Sequence, residues 1–149
     1  MKEFVLVHMV DPAEVGARFA TWPLHLTLLP WFEAPDLETV QAQLKAKLKD
    51  LKPFEVTVGE RSQHGDYKGR PVMNITNTPE LQRLHEQLLA VIQANHWPLQ
   101  GRYTGRHYTP HVTQKAGRDA QGAMCVDAVF IAESQPLGYR QLVGKVELG

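Results

Sequence analysis

Hydrophobic and polar residues alternate along several short stretches of the chain, which is the pattern of half-buried strands. The alternation is clearest over residues 24–29, where Leu24, Leu26 and Leu28 share one face and His25, Thr27 and Leu29 share the other. Pro30 is expected to end this strand, because proline cannot donate a ladder hydrogen bond. Similar patterns predict strands at residues 4–10, 54–58, 71–76, 107–114, 125–133 and 140–148.

Two other stretches repeat apolar residues at helical spacing. The first begins at Asp36, a good cap, and its stripe is Leu37, Val40, Leu44, Leu48 and Leu51, with Pro53 beyond its end. The second begins at Thr78-Pro79 and its stripe is Leu81, Leu84, Leu88, Val91 and Ile92. Residues 63–69 are expected to form a turn. Strands that lead directly into strands favour antiparallel pairing, hence the α+β class rather than a doubly wound parallel sheet.

Composition adds limits on class and location. The 149 residues suit one compact domain, and no linker divides them, so residues 1–149 are expected to form a single domain. Lys plus Arg and Asp plus Glu number 16 each, so no overall field draws the protein to long nucleic acid or to a membrane. The single cysteine, Cys125, excludes an intramolecular disulfide and a cysteine-based zinc cluster. With no signal peptide or membrane span apparent, the expected location is the cytoplasm.

One short motif, His-x-Thr on a strand, occurs in both halves of the chain. It reads His25-Leu26-Thr27 in the first half and His111-Val112-Thr113 in the second. Residues i and i+2 of a strand project from the same face, so each imidazole has a hydroxyl beside it. Two such strands facing one another would form a cleft with one histidine and one threonine on each wall.

Such a cleft suits in-line displacement at phosphorus. One group must remove a proton from the attacking oxygen while another, across the cleft, protonates the leaving oxygen. Histidine suits both roles, because its unperturbed pKa of about 6.5 keeps both protonation states accessible near neutrality. The threonine hydroxyls would donate hydrogen bonds to the non-bridging oxygens, where charge accumulates in the transition state.

The segments Leu24-His25-Leu26-Thr27-Leu28-Leu29 and Pro110-His111-Val112-Thr113 resemble the paired signatures of the 2H phosphoesterase superfamily, which comprises 2'-5' RNA ligase-like proteins and RNA cyclic phosphodiesterases. Chain length, motif spacing and the strand-then-helix segment over residues 71–97 are also similar. The resemblance implies a two-lobed, pseudo-two-fold arrangement of antiparallel sheets with outer helices around a central groove, and no metal or cofactor. It further implies that His25 and His111 are the catalytic acid and base and that Thr27 and Thr113 bind the substrate phosphate.

Other residues near the motifs have alternative interpretations. His107 and His111 are spaced as a metal pair would be on a helix, but Pro110 argues against a helix, so His107 is predicted to be a groove-rim or structural residue. Arg106 is the first candidate for a basic rim formed by Arg102, Arg106, Lys115 and Arg118, for which a solvated surface is the alternative. Trp31 and Tyr103 are candidates for stacking on a nucleobase, although a single aromatic more often packs in the core.

The expected function is hydrolysis of a 2',3'-cyclic phosphate on an RNA 3' end or a small cyclic nucleotide. Alternatives that use the same groove are a phosphodiesterase acting on cyclic oligonucleotides or ADP-ribose cyclic phosphate, an RNA 2'-5' ligase, and a non-catalytic RNA-end or nucleotide binder. The sequence leaves open which histidine is the acid and which the base. It indicates no obligate protein partner and no membrane partner, and a monomer is expected.

Overall fold

A computed structural model describes residues 1–64 and 70–149 of the chain. The strands in this part are β1 (Lys2–Met9), β2 (Arg18–Phe19), β3 (His25–Ala34), β4 (Phe54–His64), β5 (Arg70–Ile75), β6 (His111–Thr113), β7 (Ala123–Val126), β8 (Ala128–Ser134) and β9 (Arg140–Glu147). The helices are α1 (Leu37–Lys47) and α2 (Pro79–Ala94). Short 3-10 turns span Gly105–His107 and Pro136–Gly138.

The strands form two antiparallel sheets, as the order of elements predicts. One sheet has the order β2-β9-β8-β1-β3, and the other has the order β6-β5-β4-β7. The two motif-bearing strands, β3 and β6, therefore each lie at the end of a sheet, and they contact one another. The α+β class and the arrangement of two sheets around a groove are thus confirmed, with the groove bordered by β3 and β6.

The two helices pack on the sheets and on each other: α1 contacts β9, and α2 contacts β3 and β4. The Asp36 carboxylate accepts a hydrogen bond from the Thr39 N–H (2.8 Å) at the start of α1, and the Thr78 hydroxyl accepts one from the Leu81 N–H (3.2 Å) at the start of α2. The predicted stripe of α2 is fully or almost fully buried in the main core. In the described part of the chain neither helix is long and apolar enough to cross a membrane.

The prediction that Pro30 ends the first motif strand is wrong, because β3 continues to Ala34. Between Leu6 and Phe4 the partner strand β1 advances two residues, while β3 advances three, from Leu29 to Phe32. The extra residue makes a β-bulge, where a ladder N–H is not required and proline is tolerated. A second extra residue lies between Thr27 and Leu29, opposite the single step from Val7 to Leu6. Two extra residues make one full period of a strand, so only Leu29 and Pro30 change faces and the residues from Trp31 onward keep the phase of Thr27.

Other predicted boundaries shift for local reasons. The strand expected at residues 107–114 is reduced to β6, because a 3-10 turn precedes it and Pro110 has no N–H to donate. The strand expected at residues 125–133 is divided into β7 and β8, which belong to different sheets. Of the predicted turn over residues 63–69, the first two residues extend β4 and residues 65–69 lie outside the described part.

A buried histidine on α2 joins three parts of the fold. His85 is completely buried, its Nδ1 donates a hydrogen bond to the Leu28 carbonyl (2.7 Å), and its Nε2 accepts one from the Gly105 N–H (2.8 Å). This pairing requires a neutral ring with the proton on Nδ1, because a carbonyl oxygen only accepts and an N–H only donates. His85 therefore connects α2 to β3 and to the turn that precedes β6.

Burial lowers the pKa of His85 below its ordinary 6.5, and it has the same effect on His8 and His25. For a histidine whose pKa is lower in the folded state than in the unfolded state, the contribution to stability is fully present above the unfolded-state pKa of about 6.5. That contribution is lost as the pH falls toward the folded-state pKa, because the unfolded chain then binds more protons.

We predict that His85→Leu lowers the free energy of unfolding by about 2–4 kcal/mol at pH 7.5, since a buried acceptor and a buried donor each lose their partner at about 1–3 kcal/mol. The difference from wild type should shrink as the pH falls to 5, because the wild-type protein loses the His85 contribution and the variant does not. Urea unfolding at a series of pH values measures both quantities.

The matched control is His107→Leu, which removes an exposed imidazole and should change stability by less than about 0.5 kcal/mol at every pH. A difference between wild type and His85→Leu that stays constant from pH 7.5 to 5 would contradict the neutral, hydrogen-bonded state of His85.

Candidate active site

A cleft of about 590 Å³ lies where the two motif strands approach each other. Thr27 of the first motif and His111 of the second both line it. Because of the two extra residues in β3, Pro30 lines this cleft while Leu29 is buried in the main core. Trp31, four residues after Thr27, also lines the cleft, and Phe32 is buried in the main core. The lining also includes Arg102, Tyr103, Tyr108 and Thr109. Residues far apart in sequence therefore border one space of a size common for small-molecule sites.

The two motif histidines are held in the same way. Nδ1 of His25 donates to the carbonyl of Pro23 (2.9 Å), and Nδ1 of His111 donates to the carbonyl of Thr109 (2.8 Å). In both cases the acceptor lies two residues before the ring, so the pseudo-two-fold relation between the lobes extends to this bond. Because a carbonyl fixes the proton on Nδ1, Nε2 of each neutral ring is left as the atom that can accept a proton.

His25 packs against an aromatic pair. Its ring centroid lies 4.2 Å from that of Trp22, which in turn lies 4.7 Å from Phe19 of β2. Burial lowers the pKa of His25 to about 4, and its hydrogen bond to the carbonyl of Pro23 opposes this change only in part. The positive charges of Lys115 and His111 lower the pKa further, which indicates that both approach His25 from the second lobe. His25 is therefore neutral near pH 7 in the unliganded protein.

The cations around the second motif have different environments. Arg118 forms an ion pair with Asp11, whose carboxylate also accepts a hydrogen bond from the N–H of Leu24 (2.9 Å). This pair joins the segment before β3 to the turn after β6. Lys115 is half-buried, and burial together with the charge of Arg70 lowers its pKa. The four basic residues predicted to form one rim therefore lie in different environments. Arg118 forms an ion pair with Asp11, and Lys115 lies toward His25.

A hydrogen bond connects the two motifs directly. The hydroxyl of Tyr108 donates to the carbonyl of Thr27 (2.7 Å), and the Tyr108 ring stacks on His85 with centroids 4.0 Å apart and planes 2° apart. Tyr108 is buried, and burial raises the pKa of its phenol well above the ordinary value, so it remains a donor throughout the neutral range. The residue three positions before His111 is therefore anchored to the first motif strand.

Not all predicted site residues line the same space. Thr113, half-buried on β6 opposite Val72, and His25 are not among the residues that line the cleft, whereas Thr27 and His111 are. Trp31 and Tyr103, predicted as stacking residues, both line the cleft. Arg106 and His107 line an adjoining pocket instead, together with Arg102 and Tyr103, which belong to both spaces.

Three residues around the site were not assigned to it from the sequence. Trp22, which packs against His25, and Tyr108 each had a weak signal, because each is an aromatic residue three positions before a motif histidine. His85 gave none, because its hydrogen bond to Leu28 joins residues that lie 57 positions apart in sequence. No group of three or more His, Cys, Asp or Glu side chains that could hold a metal ion occurs within residues 1–64 and 70–149.

The chemistry available to the cleft follows from its donors and acceptors. Two imidazoles with the same tautomer can accept or donate a proton at Nε2. The hydroxyl of Thr27 and nearby cationic side chains can stabilise an anion, and exposed aromatic rings offer flat apolar surface. This combination suits proton transfer around a bound phosphate ester.

Comparison with solved structures shows the same fold elsewhere. A structure of Escherichia coli LigT complexed with 3'-AMP is similar at 16% sequence identity, with a TM-score of 0.67 over 99% of this chain and 98% of that one. TT0787 of Thermus thermophilus is similar at 20% identity, with a TM-score of 0.63 over 99% and 98%. A protein described as a phosphoesterase is similar at 17% identity, with a TM-score of 0.65 over 99% and 98%. These likenesses establish the fold.

None of the curated proteins matches the sequence. The family model for the 2'-5' RNA ligase superfamily, however, matches residues 7–137, a range that contains both His-x-Thr motifs. The family expected from two short segments is thereby confirmed. The chain belongs to the 2'-5' RNA ligase superfamily of 2H phosphoesterases.

Proposed function

We propose that the protein is a metal-independent cyclic phosphodiesterase that hydrolyses a 2',3'-cyclic phosphate on an RNA end or a small nucleotide. The observation that carries the proposal is the cleft of about 590 Å³ that Thr27 of one motif and His111 of the other both line. The imidazole of His111 in this cleft and that of His25 beside it are each oriented through Nδ1, so that Nε2 of each ring is available for proton transfer. Membership of the 2H phosphoesterases agrees with this chemistry.

The reaction needs one base and one acid. A water molecule attacks the phosphorus, and a new P–O bond forms as the bond to one ribose oxygen breaks. The base takes the proton of the water, and the acid protonates the leaving ribose oxygen, so the products are a phosphomonoester and a free hydroxyl. Thr27 and Thr113 donate hydrogen bonds to the non-bridging oxygens, on which negative charge increases in the transition state.

We assign the base to His25 and the acid to His111. His25 is the neutral ring in the unliganded protein, since burial against Trp22 and two nearby cations lower its pKa to about 4. A bound phosphodiester adds a negative charge beside the ring and raises its proton affinity at the stage when it must accept a proton. His111 then holds the proton that the leaving oxygen receives.

Trp31 and Tyr103 supply the surface for the nucleoside. Both rings line the cleft, and the guanidinium of Arg140 lies 5.2 Å from the centroid of Trp31. A cation on one face of Trp31 holds that ring in place. Base–aromatic stacking contributes about 1–3 kcal/mol per base and tolerates different bases. Recognition of several nucleobases by one cleft is consistent with these contacts.

We predict that His25→Ala and His111→Ala each lower kcat about 10²–10⁴-fold on a nucleoside 2',3'-cyclic phosphate, the usual contribution of a general acid or base. Thr27→Val should lower kcat about 10²-fold, because it removes one hydrogen-bond donor from the transition state and keeps the side-chain shape. Thr57→Val on β4 is the matched control, since its side chain is exposed outside the cleft. Steady-state turnover with and without EDTA measures all of these.

The same assay should show no loss of activity with EDTA. The product is identified as the 2'- or the 3'-phosphate, and RNA with a free 5' hydroxyl tests for ligation. Undiminished hydrolysis by the double variant His25→Ala/His111→Ala, purified free of nucleases, would refute the mechanism.

We predict that kcat/KM does not fall as the pH is lowered from 7 to 5, because its acid limb follows the free-enzyme pKa of His25, about 4. An ordinary imidazole base would have lost most of its activity by pH 5. Trp22→Ala should shift the acid limb to higher pH, because removing the indole exposes His25 to water and raises its pKa toward 6.5. The pH dependence of kcat/KM for the two proteins is the measurement.

Phe130→Ala is the control, because it removes another partly buried ring of the same apolar cluster that has no stacking contact with His25 among the described residues. An acid limb near pH 6.5 in the wild-type protein, or an equal shift in both variants, would contradict the assignment of His25 as the base.

A further inference from the structure

An ion pair joins the two lobes at a point outside the cleft. Asp11 follows β1 of the five-stranded sheet, and Arg118 lies in the turn after β6 of the four-stranded sheet. Nη1 of Arg118 donates to Oδ1 of Asp11 (3.2 Å), and Nη2 donates to Oδ2. Both carboxylate oxygens therefore bind one guanidinium, a paired geometry that fixes the relative orientation of the two groups. We call this contact the interlobe ion pair.

The first-lobe end of the interlobe ion pair is attached to the residue before His25. Oδ2 of Asp11 accepts a hydrogen bond from the N–H of Leu24 (2.9 Å). The carbonyl of Leu24 accepts from the N–H groups of Val10 (3.0 Å) and Asp11 (3.1 Å). Both polar groups of this peptide segment are thus held by the residues that follow β1. Because His25 is the next residue, the position of Asp11 determines the position of the first motif histidine.

The second-lobe end is attached to a lysine that lies toward His25. The N–H of Lys115 donates to the carbonyl of Arg118 (3.0 Å), and the N–H of Arg118 donates to the carbonyl of Lys115 (2.9 Å). Ala116 and Gly117 between them have φ values of +51° and +75°, as in a tight type I′ turn. A turn closed by two hydrogen bonds holds Lys115 in a fixed relation to Arg118. The charge of Lys115 acts on His25 from this turn.

His25 lies between two connections of the first motif strand to the second lobe. Leu24, before it, is connected through the interlobe ion pair, and Thr27, after it, is connected through the hydroxyl of Tyr108 (2.7 Å). The strands β3 and β6 share no ladder hydrogen bond, so side chains hold residues 24–27 against the second lobe. Two separate points of attachment fix both the distance and the orientation of this segment, whereas one point would allow rotation.

We propose that Asp11 and Arg118 are positioning residues that hold His25 across the substrate phosphate from His111. The inference rests on the proposed function, because it concerns the placement of the base of that reaction. Neither Asp11 nor Arg118 lines the cleft, so both act through the backbone on either side of it. Catalysis is sensitive to such placement, since a displacement of about 1 Å lowers the rate about 10²-fold.

The test is a double-mutant cycle with adenosine 2',3'-cyclic phosphate as substrate. Asp11→Asn keeps an oxygen that accepts from the Leu24 N–H but removes the charge, and Arg118→Gln removes the guanidinium. Each should lower kcat about 10-fold and change KM less than about 2-fold, because the connection at Thr27 remains. The double variant should be no slower than either single variant, since both break one contact. Arg118→Lys, which keeps the charge without the paired donors, should have an intermediate kcat.

Arg61→Gln is the matched control. Arg61 forms an ion pair with Asp119, and its side chain is 56% exposed, close to the 58% of Arg118. Both partners belong to the second lobe, so this pair does not connect the sheets. The ladder partner of Arg61 is Met73, which also pairs with Val112, so Arg61 lies on the face opposite the motif side chains. Its kcat and KM should equal those of the wild-type protein, and thermal unfolding checks that each variant remains folded.

A measurement without substrate gives an independent result. Burial and the charges of Lys115 and His111 lower the pKa of His25 to about 4. Loss of the interlobe ion pair releases the turn that holds Lys115, so this pKa should rise in both single variants and stay unchanged in Arg61→Gln. The direct effects of removing a negative and a positive charge have opposite signs, so a rise in both reports a change of position. NMR titration of the histidine rings measures the pKa.

The outcomes separate the inference from the proposed function. Wild-type kcat in either single variant, losses that add in the double variant, or an unchanged pKa of His25 would overturn the inference and leave the proposed function intact. A raised KM with unchanged kcat in Arg118→Gln alone would also overturn it, because Arg118 would then bind the substrate directly. Absence of turnover by the wild-type protein would refute the proposed function. The NMR titration then decides the inference, and an equal pKa of His25 in all variants overturns it.

Discussion

The hydrogen bond from the Tyr108 hydroxyl to the Thr27 carbonyl is the contact on which the geometry of the site depends most. The two sheets share no ladder hydrogen bond between β3 and β6, so the relative position of the motifs is set by side chains and loops. Tyr108 precedes the second motif and binds the backbone of the first, and its ring lies flat on the buried His85. Two motifs whose histidines lie 86 positions apart thus become one site through a few buried polar contacts.

These contacts are polar groups inside a largely apolar core, and each is satisfied. His85 uses both ring nitrogens, one as a donor to β3 and one as an acceptor from Gly105. A satisfied buried network makes one arrangement of the surrounding elements much more favourable than others, because any displacement leaves a donor or acceptor unpaired. The network requires a neutral His85, so protonation of this ring breaks the hydrogen bond from Gly105.

Much of the fold follows from local sequence patterns. The stripe of α2, its Thr78-Pro79 start and the alternation around His25 each identify an element correctly, because burial on one face imposes a period on the residues. The paired His-x-Thr motifs also identify the family. Long-range features have no such period: the stacking of Tyr108 on His85 and the enclosure of His25 by Trp22 depend on how separate elements meet. Arg118 and Arg106 likewise look alike in sequence, but Arg118 pairs with Asp11, 107 positions away, whereas Arg106 lines a pocket.

The irregular stretch before Pro30 and Trp31 shows how a strand can absorb extra residues without losing its phase. From Val7 to Phe4, β1 advances three residues, while β3 advances five, from Thr27 to Phe32. The two extra residues together make one full period of the pleat, so Thr27 and Trp31 both face the cleft while Leu28 and Phe32 both face the core. Deleting only one of the two would displace the rest of the strand by half a period, sending the indole inward and the phenyl outward. The second insertion therefore compensates the first, and one strand supplies both a hydroxyl and an aromatic ring to the same wall.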